Sequence, residues 1–209
     1  MKPPCPVGVS ERRAGGHGGC PHRSLLPALA TVALGWMLIG HPSIEAQHAK
    51  PSEYDVKATY LYNFLRFVEW PAGVVEGQSD SFAICVLGQD PFGPSLNAAV
   101  AQETIAGKNV VVKQISAAEA AIKCRVLFIS SSEGKRLKQI LAGLGAASVL
   151  TVSDLPRFTE HGGMVQFVLE GNRVRFEVNS ATAERAGLTL SSELLKVAVK
   201  VRKSVQLGD

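Results

Sequence analysis

Residues 82–101 read FAICVLGQDPFGPSLNAAVA, and this stretch decides the fold class. Its first part, 82–87, is a continuous apolar run of strand length, which predicts a strand buried on both faces. The turn at 88–93 then leads into a helical pattern over 95–101. A strand, a turn and a helix in this order form the unit from which parallel sheets are built.

The same alternation recurs further along the chain. Strand patterns occupy 109–115, 125–130 and 148–152, separated by helical patterns at 117–123 and 132–144. Alternating strands and helices predict a largely parallel sheet with helices on both faces. We therefore expect a single three-layer α/β domain.

The last part of the chain has a different pattern. Two strand-like runs, 164–171 and 173–178, are separated by turn residues and predict a C-terminal β-hairpin. A final helix is predicted from Ser191 onward, with basic residues up to Lys203 at its carboxyl end. Cations there would interact favourably with the helix dipole, so the basic residues need no ligand to explain them.

A helix with marked ends is predicted at residues 52–70. Ser52 and Asp55 have the spacing of an N-terminal capping pair, and Pro71 stops the helix. Aromatic residues lie both on and off its apolar stripe, namely Tyr60, Phe64, Phe67 and Trp70. The pattern favours a helix that is buried on most sides. The alternative is an aromatic face that binds a partner.

The amino-terminal segment has the pattern of an export signal. Arg12, Arg13 and Arg23 precede an uncharged, mostly apolar stretch at 25–40, and Ala46 closes a small-residue cleavage site. The stretch is shorter than the ~20 residues that usually span a membrane. We predict a cleaved signal peptide at 1–46, an α/β domain at 47–209 and a periplasmic location. An uncleaved membrane anchor is the alternative.

Charge excludes one class of partner. The formal net charge of the chain is +4, and several of its basic residues lie in the predicted signal peptide. Nucleic-acid binding normally needs a concentrated basic face, so no nucleic-acid partner is expected.

Two cysteines remain after removal of the signal peptide. Cys85 lies inside one predicted strand and Cys124 directly precedes another. In an oxidising compartment an even number of cysteines is typical of disulfides, and neighbouring strands could bring the two sulfurs together. A free or redox-switching pair is the alternative.

Few residues suggest catalysis. Asp154, Glu160 and His161 share one predicted loop and could form the acid/base cluster of a hydrolase, although solvated turn residues explain them as well. With a single histidine of use and both cysteines paired, no metal site is expected, and no cofactor motif is present.

Polar residues near the hairpin suggest a ligand site. Donors and acceptors for a small polar ligand could converge from Arg175, Glu177, Asn179, Ser191 and Ser192. A cross-strand ion pair and a helix cap explain the same residues. The turn at 88–93 could hold an anion, but Asp90 as a helix N-cap followed by Pro91 explains its composition better.

Seven segments in the same order resemble the YfiR-like periplasmic regulators. They cover nearly the whole predicted domain and are EYDVKATYLYNFLRFVEWP (53–71), ICVLGQDPFG (84–93), CRVLFIS (124–130), VLTVSD (149–154), FTEHGGMVQF (158–167), VRFEVN (174–179) and GLTLSSELLKVA (187–198). The resemblance implies a compact α/β domain, often dimeric, with a disulfide at Cys85 and Cys124. Some relatives have a second cysteine pair after the region of VLTVSD, whereas 153–163 contains none.

The resemblance also implies a function. Members of this family hold a membrane-bound diguanylate cyclase inactive through its periplasmic portion and so lower cyclic di-GMP. We expect a non-enzymatic regulator that binds the extracytoplasmic part of such a cyclase or of another membrane sensor, as a monomer or homodimer. A periplasmic small-molecule binding protein that serves a transporter or sensor kinase is the alternative.

Overall fold

The structure is a computed structural model that describes residues 50–72 and 81–203. The predicted signal peptide at 1–46 lies outside these residues, and its cleavage therefore stays a prediction.

Helices and strands alternate through most of the described chain. The helices are α1 (Glu53–Phe67), α2 (Pro94–Val100), α3 (Leu137–Leu144), α4 (Ser180–Arg185) and α5 (Ser192–Val197), with 3-10 helices at Ala118–Lys123 and Ser131–Arg136. The strands are β1 (Val68–Glu69), β2 (Ser81–Leu87), β3 (Thr104–Ile105), β4 (Lys108–Ile115), β5 (Val126–Ile129), β6 (Leu150–Ser153), β7 (Val165–Glu170), β8 (Arg173–Asn179), β9 (Thr189–Leu190) and β10 (Lys200–Arg202).

An eight-stranded sheet forms the centre, in the order β10-β8-β7-β6-β5-β2-β4-β3. Strands β4, β2, β5, β6 and β7 run parallel, whereas β7 and β8 form the antiparallel hairpin. The predicted largely parallel sheet with a C-terminal hairpin is therefore confirmed. Strands β1 and β9 form a separate antiparallel pair.

Helices cover both faces of the central sheet, as predicted. On one face α1 and α2 pack on a core that includes Phe64, Ile84 and Phe128. On the other face α3 and the first 3-10 helix pack on a core that includes Leu127 and Phe158. Strands buried between two helical layers need apolar residues on both sides, which explains the unbroken apolar run of β2.

The two helices predicted at the ends of the domain are both shorter than expected. Helix α1 ends at Phe67 because Val68 and Glu69 pair with Leu190 and Thr189 of β9. Pro71 therefore follows a short strand instead of ending the helix.

The prediction of a basic helix end near Lys203 is wrong. Helix α5 ends at Val197, Ala198 is extended, and Lys200–Arg202 forms edge strand β10 parallel to β8. Pairing of Val201 with Val178 places the segment in the sheet, so its cations interact with no helix dipole.

The N-cap predicted at Asp90 is also wrong. Gly93 caps α2, with a left-handed φ of 55°, and Pro94 occupies the first helical turn. The Asp90 carboxylate instead accepts a hydrogen bond from the Phe92 N–H at 2.8 Å, which closes a local turn.

Gly163 is a position where the fold tolerates no side chain. A Cβ at this position would overlap the ring of Phe158, which is fully buried. We expect Gly163→Ala to lower the free energy of unfolding by about 1–3 kcal/mol, because overpacking forces the core to shift. Urea unfolding monitored by circular dichroism measures this change.

Gly143 provides the matched control for this substitution. It lies in α3, is exposed, and a Cβ there would meet nothing within 4 Å. Gly143→Ala should leave stability unchanged or raise it by up to about 1 kcal/mol, since alanine favours helix. Equal effects of the two substitutions would contradict the packing argument.

Candidate functional site

A cleft of about 470 Å³ opens beside the carboxyl ends of β5 and β6. Ligands of open α/β sheets bind beyond the carboxyl ends of the strands, near the point where the strand order reverses. Here the order reverses between β2 and β5, because the chain passes from β4 on one side of β2 to β5 on the other. The cleft lies beside this point, on the side of β5 and β6. We call this cavity the Lys57 cleft; it is lined by Glu53, Lys57, Ser131, Asp154, Pro156, Gln166, Phe167, Val168 and Leu169.

A buried lysine lies at the centre of this cleft. The side chain of Lys57 is only 3% exposed, and its Nζ lies 2.8 Å from an Asp154 oxygen and 2.5 Å from a Glu53 oxygen. The Tyr54 hydroxyl donates a hydrogen bond to the same Asp154 oxygen at 3.0 Å. The Lys57 ammonium also lies 4.4 Å from the centre of the Tyr54 ring, within cation–π range.

These contacts decide the ionisation of the cleft. Burial alone would lower the pKa of Lys57, but its hydrogen bonds to Asp154 and Glu53 outweigh burial and raise that pKa. Burial and the nearby Asp154 charge raise the pKa of Tyr54. By residue type the lining of the cleft carries one basic and two acidic side chains, namely Lys57, Glu53 and Asp154.

The start of α1 positions Glu53 and Lys57. Ser52 and Asp55 form the predicted capping box, with Ser52 as the N-cap, so the helix begins at Glu53. Glu53 and Lys57 are four residues apart and therefore lie on the same side of the helix. The Ser95 hydroxyl, at the start of α2, donates to the Asp55 carboxylate at 2.5 Å and joins the two helix ends.

The sequence analysis missed Lys57, although a signal was present. Lys57, Leu61 and Phe64 are spaced by four and three residues, so the lysine lies on a buried stripe of α1. A charge on a buried stripe needs a buried partner. Its identity could not be read from the sequence, because Asp154 is 97 residues away.

The four aromatic residues of the predicted partner-binding face have different environments. Phe64 is fully buried and packs against Phe176, with ring centres 5.3 Å apart. Tyr60 is half-buried and packs on the same group of rings. Phe64 therefore belongs to the core, and a partner-binding surface could not include it. Phe67 remains 39% exposed, and a partner contact there stays a prediction.

Trp70, the fourth of these residues, lines a second cleft of about 660 Å³. Its indole nitrogen is buried and makes no hydrogen bond within the described residues. Tyr62 and Glu103 line the same cleft and are joined by a hydrogen bond of 2.5 Å. A partner contact at Trp70 stays a prediction.

Three of the five residues predicted to converge on a small polar ligand make hydrogen bonds within the fold. Asn179 caps α4 by accepting from the Thr182 N–H at 3.0 Å, and Ser191 caps α5 by accepting from the Leu194 N–H at 3.2 Å. Glu177 accepts from the Thr159 hydroxyl at 3.3 Å. Neither the Lys57 cleft nor the Trp70 cleft is lined by any of the five, that is by Arg175, Glu177, Asn179, Ser191 or Ser192. Asn179 and Ser191 cap different helices, and a ligand site shared by the five residues stays a prediction.

The predicted acid/base cluster is also divided between separate contacts. Asp154 pairs with Lys57, whereas Glu160 pairs with Arg157 at 2.6 Å and Arg202 at 2.7 Å. Hydrogen bonding to Arg157, with the charges of both arginines, lowers the pKa of Glu160. His161 is exposed. Within the described residues no hydrogen bond joins the three, and a joint acid/base role for them stays a prediction.

The turn after β2 is occupied by the protein's own groups. Gly88 has a left-handed φ of 90°, and the Gln89 N–H donates to the Ser132 hydroxyl at 2.9 Å. The Gln114 amide donates to the Gly88 carbonyl. The arrangement is a braced turn, and an anion there stays a prediction.

Cys85 and Cys124 form a disulfide, in agreement with the prediction. Cys85 lies in β2 and Cys124 directly precedes β5, the neighbouring parallel strand. Their Cα atoms are 5.9 Å apart, within the range that a disulfide requires. Both cysteines are buried.

The described residues contain neither a membrane-spanning helix nor a cluster of metal ligands. None of the helices in 50–72 and 81–203 is long and apolar enough to cross a membrane. The same residues contain no group of three or more His, Cys, Asp or Glu side chains that could hold a metal ion.

Two solved structures resemble this fold. A conserved domain protein from Vibrio cholerae O1 biovar El Tor str. N16961 has a TM-score of 0.50 and 13% identity, over 72% of this chain and 60% of that chain. An ABC domain in complex with L-Trp from Streptococcus pneumonia has a TM-score of 0.47 and 10% identity, over 69% of this chain and 60% of that one. This chain thus spans about 60% of the length of each. The first likeness concerns the fold alone.

A family comparison is more specific. The model of the family described as YfiR/HmsC-like matches residues 54–199. The match begins in α1, contains the disulfide and every residue that lines the Lys57 cleft except Glu53, and ends just before β10. Because it covers most of the chain, this protein belongs to the YfiR/HmsC-like family.

Proposed function

We propose that this protein is a periplasmic, non-enzymatic regulator that binds the extracytoplasmic part of a membrane signalling protein. The expected partner is a diguanylate cyclase, which the regulator would repress and so lower cyclic di-GMP. The observation that carries this proposal is the family match over residues 54–199.

Two further features support an extracytoplasmic role. The buried disulfide between Cys85 and Cys124 suits an oxidising compartment. The amino-terminal sequence has the order of a secretory signal, with basic residues before a short apolar stretch.

Deletion of the protein in its native host is the direct test of the proposed function. We expect intracellular cyclic di-GMP, measured by mass spectrometry of cell extracts, to rise in the deletion strain. Expression of the full chain should restore the original level, because repression of the cyclase is regained. A deletion strain with unchanged cyclic di-GMP would argue against this regulator function.

A chain that lacks residues 2–46 provides the matched control. It retains the whole family match but lacks the predicted export signal. If the protein acts in the periplasm, this chain should accumulate in the cytoplasm and fail to restore cyclic di-GMP. Full restoration by the truncated chain would contradict the periplasmic location.

A further inference from the structure

Strand β7 extends beyond the end of its neighbour β6. Its pairing with β6 ends at Ser153 and Gln166, whereas its pairing with β8 continues to Glu170 and Arg173. The Asn179 N–H donates a hydrogen bond to the Met164 carbonyl, so Met164 is a residue whose backbone faces β8. In an antiparallel pair the backbone groups of successive residues point alternately toward and away from the partner strand. Those of Phe167 and Leu169 therefore point away from β8. Past the end of β6, the Phe167 C=O and both backbone groups of Leu169 have no partner strand among the described residues.

This free edge forms one wall of the Lys57 cleft. Phe167, Val168 and Leu169 all line the cleft, and its lining also includes Ser131 and Pro156, which follow β5 and β6. Leu169 is 56% exposed, although it is a large apolar residue. Natural proteins usually cover or charge a free apolar strand edge, because such an edge readily pairs with another chain.

The excess of acidic side chains in the cleft indicates that a ligand bound there would carry a positive charge. Glu53 and Asp154 contribute two carboxylates and Lys57 only one ammonium. Glu53 is 38% exposed, so a bound cation can reach its carboxylate. Backbone groups in a row beside apolar side chains are the features that bind an extended peptide by strand addition.

We propose that the free edge of β7 binds an extended segment of the membrane partner that carries a lysine or arginine side chain. The segment adds to β7 beyond the end of β6, and its cation is placed near Glu53. The identity of this partner rests on the function proposed above, whereas the binding edge does not.

A second copy of this chain fits the edge less well. Symmetric pairing of two β7 edges would bring two acidic clefts together, with like charges repelling. Pairing of β7 with the basic edge strand β10 of another copy would be head-to-tail, which leads to open filaments unless the rotation closes a ring.

Photo-crosslinking in the native envelope tests the proposal. A benzoylphenylalanine at Ser131, an exposed residue that lines the same cleft, should form an adduct with a membrane protein. Leu169→Pro removes the outward N–H and should reduce this adduct about tenfold or more, since strand addition loses a hydrogen bond and meets the proline ring. Leu169→Val keeps both the N–H and a β-branched apolar side chain, and should retain the adduct.

Folding of the variants is controlled in two ways. Proline is tolerated at free strand edges, so the melting temperature of Leu169→Pro should stay close to that of the parent chain. Glu53→Gln leaves the backbone intact and tests the charge alone; it should weaken the adduct several-fold. A benzoylphenylalanine at Ile122, which is exposed in a helix that packs on the other face, should form no adduct with the same membrane protein.

The outcomes separate this inference from the function proposed above. An adduct that survives Leu169→Pro, an adduct with a second copy of this chain, or no adduct at Ser131 would overturn the inference. If deletion leaves cyclic di-GMP unchanged while the proline-sensitive adduct forms, the edge inference is supported and the regulator function fails. If deletion raises cyclic di-GMP and Leu169→Pro restores it fully, the function is supported and the edge inference is overturned.

Discussion

Replacement of both Cys85 and Cys124 by alanine should lower the free energy of unfolding by about 4 kcal/mol. The disulfide joins residues 39 positions apart and closes a loop that contains α2, β4 and the first 3-10 helix. In the chain-entropy description, a closed loop of this length greatly restricts the unfolded chain, and its loss leaves the folded state relatively less stable. Urea unfolding of purified protein, without and with a reductant, measures the effect.

The double alanine variant also provides the control for the reductant. Reduction should destabilise the parent protein and leave the Cys85→Ala/Cys124→Ala variant unchanged, because that variant has no disulfide to lose. Both sulfurs are buried, so reduction of the native state should be slow without denaturant. If the parent and the variant had equal unfolding free energies under oxidising conditions, the disulfide would not stabilise the fold.

Lys57→Ala should have the next largest effect, a loss of about 3 kcal/mol in the free energy of unfolding. The substitution leaves the Asp154 carboxylate, only 16% exposed, without its cation and removes a buried aliphatic stem from α1. Urea unfolding near neutral pH measures the loss. As a control, Arg157→Ala removes an exposed pair with Glu160, whose side chains are 71% and 36% exposed, and should cost at most about 1 kcal/mol.

A double substitution separates the charge from the packing. Lys57→Met with Asp154→Leu replaces the buried pair by apolar side chains and should recover most of the stability that Lys57→Ala loses. A double variant as unstable as Lys57→Ala would show that charge compensation is not the reason for the loss.

The Lys57 contacts also predict how stability depends on pH. Because the folded state raises the pKa of Lys57 above its ordinary value of 10.5, its stabilisation is complete below that value and is lost as the pH rises further. The difference in unfolding free energy between the parent and Lys57→Met should therefore shrink at alkaline pH. A difference that grows with pH would contradict the sign of the shift.

The sequence alone was sufficient for the main architecture, because the periodicity of apolar residues is a local property. The unbroken apolar run of β2 and the alternation in β8 each predicted a strand with the correct burial. The capping pair Ser52 and Asp55 defined the start of α1. The two cysteines predicted their own disulfide, since only two were expected in the exported domain.

Local patterns were insufficient where a segment takes its structure from a distant partner. The residues of β10 have the composition of a helix end, but their backbone groups pair with β8. The aromatic pattern of α1 could not separate Phe64 in the core from Phe67 at the surface, because that difference depends on where β7 and β8 pack.

The sequence by itself determined a parallel α/β fold, the disulfide and membership of the YfiR/HmsC-like family. The order of its apolar runs, its two cysteines and its ordered motifs are all properties of the linear chain. Only the tertiary structure decided the candidate site. It brings Lys57 to Asp154 across 97 positions, and it ends β6 at Ser153 while β7 continues to Glu170. Both features arise from contacts between distant segments, and no local pattern in the chain identifies the partner in such a contact, because its energy depends on the packing of the whole sheet.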